Sequence, residues 1–228
     1  MAFKDKHSPS ILMKSLLILG LLGGIVTSTL LTTGNSVWLS DLFQYEGTAG
    51  SAAHLWLMFA CGMFYVLRFI IGMFVLMQRN IGWVEGLVTS ILFFMMFYLF
   101  GISAGERSEA LGLVDYFGVG IFLIGSYINF KADYDRWKWK QLESNQRKLY
   151  TSGLFKYSMH INYFGDTLTY LGLAMITHTL ICYVVVFGIC VNFIFYQIPQ
   201  LDKYLLERYT DQFASYRVNT KKFIPFIY

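Results

Sequence analysis

Residues 150–166 read Tyr-Thr-Ser-Gly-Leu-Phe-Lys-Tyr-Ser-Met-His-Ile-Asn-Tyr-Phe-Gly-Asp. This stretch joins a charged, tryptophan-bearing segment to an apolar run, which is typical of a membrane boundary. It brings Lys156, His160, Asn162, Tyr163 and Asp166 into eleven positions. Polar side chains that enter a bilayer cost free energy and usually serve a function. The stretch is therefore a candidate for a collar of groups that binds a cofactor.

The composition of the whole chain is typical of a protein embedded in a bilayer. Of its 228 residues, 56% are hydrophobic and 14% are charged, whereas soluble domains carry about 25% charged residues. The length fits one helical bundle, so we predict a single integral membrane domain over residues 1–228. The three cysteines have neither a CxxC nor a zinc-binding spacing, and no metal site is expected.

Apolar runs long enough for membrane helices recur along the chain, since a span needs about 20 residues. The predicted helices cover residues 11–31, 55–77, 83–103, 111–130, 163–177 and 179–198. The fifth is short, and we expect it to start near Ser158 and to form a tight hairpin with the sixth around His178. Pro199 should end the sixth helix because it lacks an N–H. The predicted fold class is an all-α polytopic membrane bundle with about six transmembrane helices.

Positive charge predicts the orientation of this bundle. Lysine and arginine are concentrated in the N-terminal segment with Lys4, Lys6 and Lys14, in the loop at residues 131–158 and in the tail at residues 199–228. By the positive-inside rule, both termini and this loop face the cytosol. The tail is amphipathic and is predicted to lie along the cytosolic interface. The same topology fits the endoplasmic reticulum of a eukaryote and the inner membrane of a bacterium.

The net charge of +4 on this side has two interpretations. One is orientation together with contact to anionic membrane lipids. The other is a pocket for an anionic cofactor. No pattern indicates binding to nucleic acid, and no protein partner can be inferred.

Arg68 lies in the middle of the second predicted helix. It is roughly 16 Å from Arg79 along the helix at 1.5 Å per residue, which is too deep for easy contact with the surface. We expect it to face the interior and to meet an acid, with Glu85 and Asp166 as candidates, or a carbonyl or a ligand. Tyr65 shares its helical face. A buried phenol beside a cation could protonate a substrate carbonyl; the alternative is a packing role.

Further polar groups follow the fourth predicted helix. Asn129, Asp133 and Arg136 share one face if that helix continues beyond residue 130. Arginine could hold phosphate there, and the other two could hold ribose or amide groups. The alternative is an interfacial helix anchored by Trp137 and Trp139.

Two titratable residues elsewhere have structural alternatives. His160 could be a structurally satisfied interfacial histidine rather than a cofactor ligand. Asp115, near the outer end of the fourth predicted helix, is expected to be structural or solvated.

Four segments, taken in order, resemble the steroid 5-alpha-reductase C-terminal-domain family. They are Tyr-Val-Leu-Arg at 65–68 with Gln-Arg-Asn at 78–80, residues 129–136, residues 151–166 and residues 199–228. The third resembles T-S-G-L-F/W-x-Y-S/V-R-H-P-N-Y-F/L-G-E/D. The fourth resembles P-x-L-E/D-K-x-L-x-x-R, then Y-x-x-Y, then F/L-I-P-F/W/Y. The resemblance covers about residues 65–228, and the family is related to sterol reductases and isoprenylcysteine carboxyl methyltransferases.

This resemblance implies a membrane oxidoreductase that uses NADPH to saturate a C=C bond in a lipophilic enone or enoyl lipid. It implies a cofactor in the cytosolic half of the bundle and a lipophilic small-molecule substrate. By position, the cofactor candidates are Asn129, Asp133, Arg136, Asn162, Asp166 and Tyr204, to which we add His160 and Tyr163 from the same stretch. Tyr65 is the candidate proton donor, with Arg68 beside it as a second catalytic candidate.

The chain also departs from the family pattern. Met159 and Ile161 replace the Arg and Pro of Arg-His-Pro-Asn, and losing the arginine removes a bidentate phosphate partner. Residues 11–31 hold no acid where steroid reductases carry a catalytic glutamate, so a steroid substrate is not predicted. Two alternatives stay open. One is an S-adenosylmethionine-dependent methyltransferase of a lipid or prenylated thiol, and the other is a non-catalytic membrane protein that retains the fold.

Overall fold

The computed structural model describes residues 10–47, 50–77 and 79–228, and all regular structure within these ranges is helical. The α-helices are α1 (Ile11–Thr32), α2 (Val37–Phe43), α3 (Ala52–Ile71), α4 (Trp83–Gly105), α5 (Leu113–Lys140), α6 (Ile161–Thr177), α7 (Leu180–Asn192) and α8 (Ile198–Asn219). Two π-helical segments, Gly72–Leu76 and Phe193–Gln197, follow α3 and α7. Short 3₁₀ turns lie at Glu143–Asn145 and Gly153–Lys156.

Among the described residues, five helical segments are long and apolar enough to cross a membrane. The protein is therefore a multi-pass helical membrane protein, and the predicted fold class is confirmed. The fifth predicted helix corresponds to α6, which has only 17 residues. It begins at Ile161 rather than near Ser158. The predicted hairpin with α7 is present, and His178 turns it with a φ of 52°.

Other helix boundaries differ from the predictions for identifiable reasons. The predicted end at residue 130 was wrong, because α5 continues for ten more residues to Lys140 through a charged but helix-compatible sequence. The short α2 was missed; Ser36 caps it by accepting a hydrogen bond from the Leu39 N–H at 3.3 Å. The prediction that Pro199 ends the sixth helix was wrong, because α7, the π-helical segment and α8 follow one another without a gap. Pro199 lies in the first turn of α8, where its missing N–H costs little. Lys4, Lys6 and Gln78 lie outside the described residues.

The chain divides into two compact units, and each is described by itself below. We call residues 10–122 and 171–185 the N-terminal unit, and residues 123–170 and 186–228 the C-terminal unit. Three helices, α5, α6 and α7, contribute residues to both. The single domain predicted over residues 1–228 stays a prediction.

Small residues along α1 allow this helix to pack closely on α4 in the N-terminal unit. Gly20, Gly24, Ser28 and Thr32 recur every fourth position and are all buried. A methyl group on Gly24 would lie 2.5 Å from the Phe94 carbonyl oxygen, so the two backbones are in contact. Lipid chains are as apolar as leucine side chains, and helices in a bilayer therefore associate mainly through such close packing.

We expect Gly24→Ala to lower the stability of the protein by about 1–3 kcal/mol, because the methyl group would push against rigid backbone atoms. Gly188→Ala on α7 is the matched control, since its new methyl group would meet nothing within 4 Å. Thermal unfolding of both variants in detergent measures the difference. Equal melting temperatures would contradict backbone contact between α1 and α4.

Lys14 on α1 is buried and stabilises the end of the α3 segment. Its Nζ donates hydrogen bonds to the carbonyl oxygens of Met73, at 2.6 Å, and Met77, at 2.9 Å. The carbonyls at a helix end lack partners within the helix. Lys14 therefore satisfies polar groups at the end of a span, in addition to the orienting charge predicted for it.

Asp115 is the centre of a buried polar network in the N-terminal unit, and of its two predicted roles the structural one applies. Its side chain is fully buried. The Arg107 Nη1 donates to its Oδ1 at 2.6 Å and also to the Ile176 carbonyl oxygen at 2.9 Å. The Gly112 N–H donates to its Oδ2 at 2.7 Å. These contacts connect the start of α5 with the end of α6.

Two histidines approach the same carboxylate. The Nε2 of fully buried His54, at the start of α3, lies 3.4 Å from Asp115 Oδ2. The Nε2 of His178, in the α6–α7 turn, lies 3.5 Å from Asp115 Oδ1. The carboxylate thus has neighbours from the start of α3, the α4–α5 connection and the α6–α7 turn.

We expect Asp115→Asn to destabilise the protein by about 3 kcal/mol or more, because it removes the buried counter-charge of the Arg107 guanidinium. Glu109→Gln is the control, since Glu109 also pairs with Arg107 but its side chain is 69% exposed. Thermal unfolding of the two variants should show a large effect for the first and almost none for the second. Similar small shifts in both would mean that Asp115 is not the centre of this network.

Candidate functional site

Two glycines set the distance between α5 and α6 in the C-terminal unit. A methyl group on Gly125 would lie 2.6 Å from the Gly165 carbonyl oxygen, and one on Gly165 would lie 2.6 Å from the Asn129 backbone nitrogen. No larger residue fits at either position without separating the helices. The close approach lets the Asn129 Nδ2 donate a hydrogen bond to the Asn162 carbonyl oxygen at 3.1 Å. Two predicted cofactor residues from separate segments are therefore in contact.

The extension of α5 carries the other predicted group of this helix. Because the helix continues to Lys140, Asn129, Asp133 and Arg136 share one face. The Arg136 Nη2 donates to Asp133 Oδ1 at 2.7 Å, and both side chains are partly exposed. The Arg136 guanidinium also lies 5.4 Å from the centre of the Phe155 ring. Arg136 is thus held against the segment that leads into α6.

His160 is the most buried of the predicted cofactor residues, and it is paired with a residue that the predictions missed. Its side chain is 1% exposed, and its Nε2 lies 2.8 Å from Asp202 Oδ1 at the start of α8. The other carboxylate oxygen of Asp202 lies 3.4 Å from the Lys222 Nζ. The pairing with Asp202 therefore gives His160 a structural role, which was one of its two predicted roles. The acid in P-x-L-E/D-K marked Asp202, whereas no pattern marked Lys222.

Backbone hydrogen bonds hold the tail against the segment before α6. The N–H groups of Met159 and His160 donate to the carbonyl oxygens of Lys221, at 2.8 Å, and Lys222, at 3.2 Å. The Ser158 Oγ donates to the Phe223 carbonyl oxygen at 2.7 Å. This pairing places the Lys222 side chain beside Asp202.

The ring of His160 presents one nitrogen without a protein partner. A carboxylate only accepts hydrogen bonds, so the Nε2 that faces Asp202 carries the proton. In a neutral ring the Nδ1 is then an acceptor. This atom is buried and has no hydrogen-bond partner within the described residues. A buried polar atom left unsatisfied costs about 1–3 kcal/mol, so a water or a ligand that donates to it would be stabilised.

Aromatic rings continue from His160 across α6. The His160 and Tyr163 rings are stacked with centroids 6.0 Å apart, and Tyr163 is stacked on Phe193 at 4.8 Å. Phe193 belongs to the π-helical segment before α8. The predicted cofactor residue Tyr163 is thus the middle ring of three stacked aromatic rings.

The two departures from the family pattern are core residues in this chain. Met159 packs with Tyr209, Phe213 and Tyr216 of α8. Ile161 packs with Ala132, Tyr150 and Phe155. Both are buried, and a guanidinium at position 159 would be costly in this apolar cluster. A phosphate partner in this unit therefore has to be another cation.

The remaining cofactor candidates lie on α6 and α8. Asp166 follows Asn162 by one helical turn and is partly buried. Tyr204 is also partly buried, and its hydroxyl oxygen accepts a hydrogen bond from the Arg208 Nη1 at 2.6 Å. With these two, all eight predicted cofactor residues belong to the C-terminal unit.

Tyr65 and Arg68, the catalytic candidates, belong to the N-terminal unit. Tyr65 is 2% exposed and lies against Phe69 and Phe97, with ring centroids 6.0 Å and 5.2 Å away. The Arg68 guanidinium lies 4.9 Å from the centre of the Tyr65 ring, so the predicted shared face is confirmed. The convergence of this pair with the cofactor candidates stays a prediction, as does the pairing of Arg68 with an acid.

Of the two acids considered for Arg68, Glu85 has an identified partner. Its carboxylate accepts hydrogen bonds from both terminal nitrogens of Arg79.

Within the described residues, no group of three or more His, Cys, Asp or Glu side chains is placed to hold a metal ion.

We expect Asp202→Asn to destabilise the protein by about 1.5–3 kcal/mol, the usual worth of a hydrogen bond to a charged group. The variant keeps an oxygen that can accept from His160 but loses the charge that faces Lys222. Asp211→Asn, on the exposed side of the same helix, is the control. If thermal unfolding gave equal melting temperatures for the two variants, Asp202 would not anchor the tail.

In a comparison with protein families, the model described as "Protein of unknown function (DUF1295)" matches residues 54–220, which include every predicted site residue. A comparison with curated proteins gives no match.

Proposed function

This chain belongs to the family described as Protein of unknown function (DUF1295), and we propose that it is a membrane-embedded reductase that uses NADPH to saturate a C=C bond in a lipophilic enone or enoyl lipid. One observation carries the proposal. Segments that separately resemble steroid 5-alpha-reductase-like proteins meet in the C-terminal unit, where Asn129 contacts Asn162 and His160 contacts Asp202.

The groups in this unit suit the chemistry of NADPH. The cofactor carries several phosphate charges, ribose hydroxyls and a carboxamide, which call for cations, acceptors and amide groups. Arg136 and Lys222 offer the cations, and Asp166 and Asn162 offer partners for ribose or carboxamide. In a neutral ring, the buried Nδ1 of His160 is an acceptor with no donor among the described residues, and a hydroxyl or amide N–H of the cofactor would satisfy it. When bound, NADPH supplies the hydride.

In this proposal Tyr65 donates the proton that the reaction needs, and Arg68 assists it. The Tyr65 phenol donates its proton to the substrate oxygen as negative charge develops there, and the resulting enol returns to the carbonyl form by taking up a proton at the α-carbon and releasing the one on oxygen. The nearby Arg68 guanidinium stabilises the charge that the phenol oxygen then carries. The burial of Tyr65 excludes water, which would otherwise weaken both effects.

Titration of the purified protein in detergent with NADPH, and separately with S-adenosylmethionine, tests the proposed cofactor. We expect saturable binding of NADPH that Asp166→Ala weakens at least tenfold, through loss of a hydrogen bond to a bound polar group. Asp41→Ala, an exposed acid on α2, is the control and should bind as the unchanged protein does.

The other outcomes of this titration contradict the proposal. Selective binding of S-adenosylmethionine would identify a methyltransferase of a lipid or prenylated thiol. Binding of neither cofactor to a well-folded protein would identify a non-catalytic protein on this fold.

We expect Tyr65→Phe to lower kcat by about 10²–10⁴-fold with little change in KM, because it removes the proton donor and keeps the ring. Arg68→Leu should abolish turnover. NADPH oxidation with a panel of lipophilic enones measures both. Phe69→Leu, next to Tyr65 on α3, controls for altered packing. Full turnover by a folded Tyr65→Phe protein would remove Tyr65 from the reaction.

A further inference from the structure

The tail after α8 forms a basic concavity that shares only Lys222 with the candidate cofactor groups. It is a cavity of about 440 Å³ whose lining includes Arg217, Asn219, Thr220, Lys221, Lys222 and Ile227. None of the lining side chains is acidic, and Tyr228, the last residue of the given sequence, also lines the cavity. The side chains of Arg217 and Lys221 are exposed, and Lys222 is partly buried by its contact with Asp202. The concavity therefore offers three cations, together with hydroxyl and amide groups, to an anion.

The rim of this concavity is apolar and exposed. The lining residues Val218 and Ile227 are 85% and 74% exposed, and Phe226, which precedes Ile227 in the chain, is 75% exposed. Apolar side chains beside cations are typical of segments that lie at the membrane interface. There the apolar side chains contact acyl chains and the cations contact headgroups. The protein has five helical segments able to cross a membrane among its described residues, so such an interface is at hand.

We propose that this concavity binds the phosphate headgroup of an anionic phospholipid. The phosphate would lie between Arg217 and Lys221, since guanidinium and ammonium groups donate charge-assisted hydrogen bonds to phosphate oxygens. The glycerol and acyl chains would lie along Val218, Phe226 and Ile227. Exposed apolar side chains suit the acyl chains of a lipid better than a polar nucleotide, and this distinguishes the site from the cofactor groups.

The site has a direct connection to His160. The Lys222 Nζ faces Asp202, and the Lys222 carbonyl oxygen accepts the His160 N–H. A phosphate in the concavity would draw on the same ammonium group that Asp202 contacts. Lipid binding therefore acts on the contact between Lys222 and Asp202.

The test is a titration of the detergent-purified protein with dioctanoyl phosphatidylglycerol, followed by native mass spectrometry and thermal unfolding. Dioctanoyl phosphatidylcholine and inorganic phosphate are run in parallel. We expect saturable binding and a higher melting temperature with phosphatidylglycerol only. The double variant Arg217→Gln, Lys221→Gln should bind it about tenfold more weakly or worse, since each cation near a membrane surface adds to lipid attraction.

The matched control is the double variant Lys138→Gln, Lys148→Gln, which removes the same charge from exposed positions of the same unit and should bind normally. Equal effects of the two lipids would overturn the proposal, and so would equal weakening by the two double variants. Protection by inorganic phosphate alone would mean a simple anion site. Displacement of the lipid by NADPH would assign the cavity to the nucleotide, whereas independent binding supports the lipid whether or not the protein is a reductase.

Discussion

Backbone contact between α5 and α6 at Gly125 and Gly165 is the constraint on which the candidate site depends. In a bilayer the helices gain little from burying apolar surface against each other, so van der Waals contact and internal hydrogen bonds must hold them. The absence of side chains at these glycines brings the Asn129 amide onto the Asn162 carbonyl. A wider spacing would break the hydrogen bond between Asn129 and Asn162, and the two segments that resemble cofactor-binding regions would no longer meet.

The tail completes the same site because buried polar groups need partners. His160 enters an apolar environment, and the protein satisfies its Nε2 with Asp202 and its backbone N–H with the tail carbonyl of Lys222. Charge on Asp202 is in turn balanced by the Lys222 ammonium. The site is thus built from residues far apart in the chain, and the apolar cluster around Met159 holds them together.

The sequence predicted those features that depend on local pattern. Apolar runs located the helices, and helical spacing placed Arg68 on the Tyr65 ring. It failed where long-range contacts decide. The charged residues after position 130 fit either a loop or a helix by their local pattern. The packing of Arg136 on Phe155, which favours the helix, is a contact between separate segments. Burial of Asp115 likewise depends on Arg107 and on turns distant in sequence, and no motif marked Lys222 as the partner of Asp202.

Hydrogen–deuterium exchange of the detergent-purified protein with and without NADPH tests most directly whether α5, α6 and the tail form one nucleotide-binding surface. We expect slower amide exchange on NADPH addition in three segments together, residues 125–136, 158–166 and 200–222. Exchange in α2 should be unchanged. Protection of only one of the three segments, or of none, would contradict a shared surface.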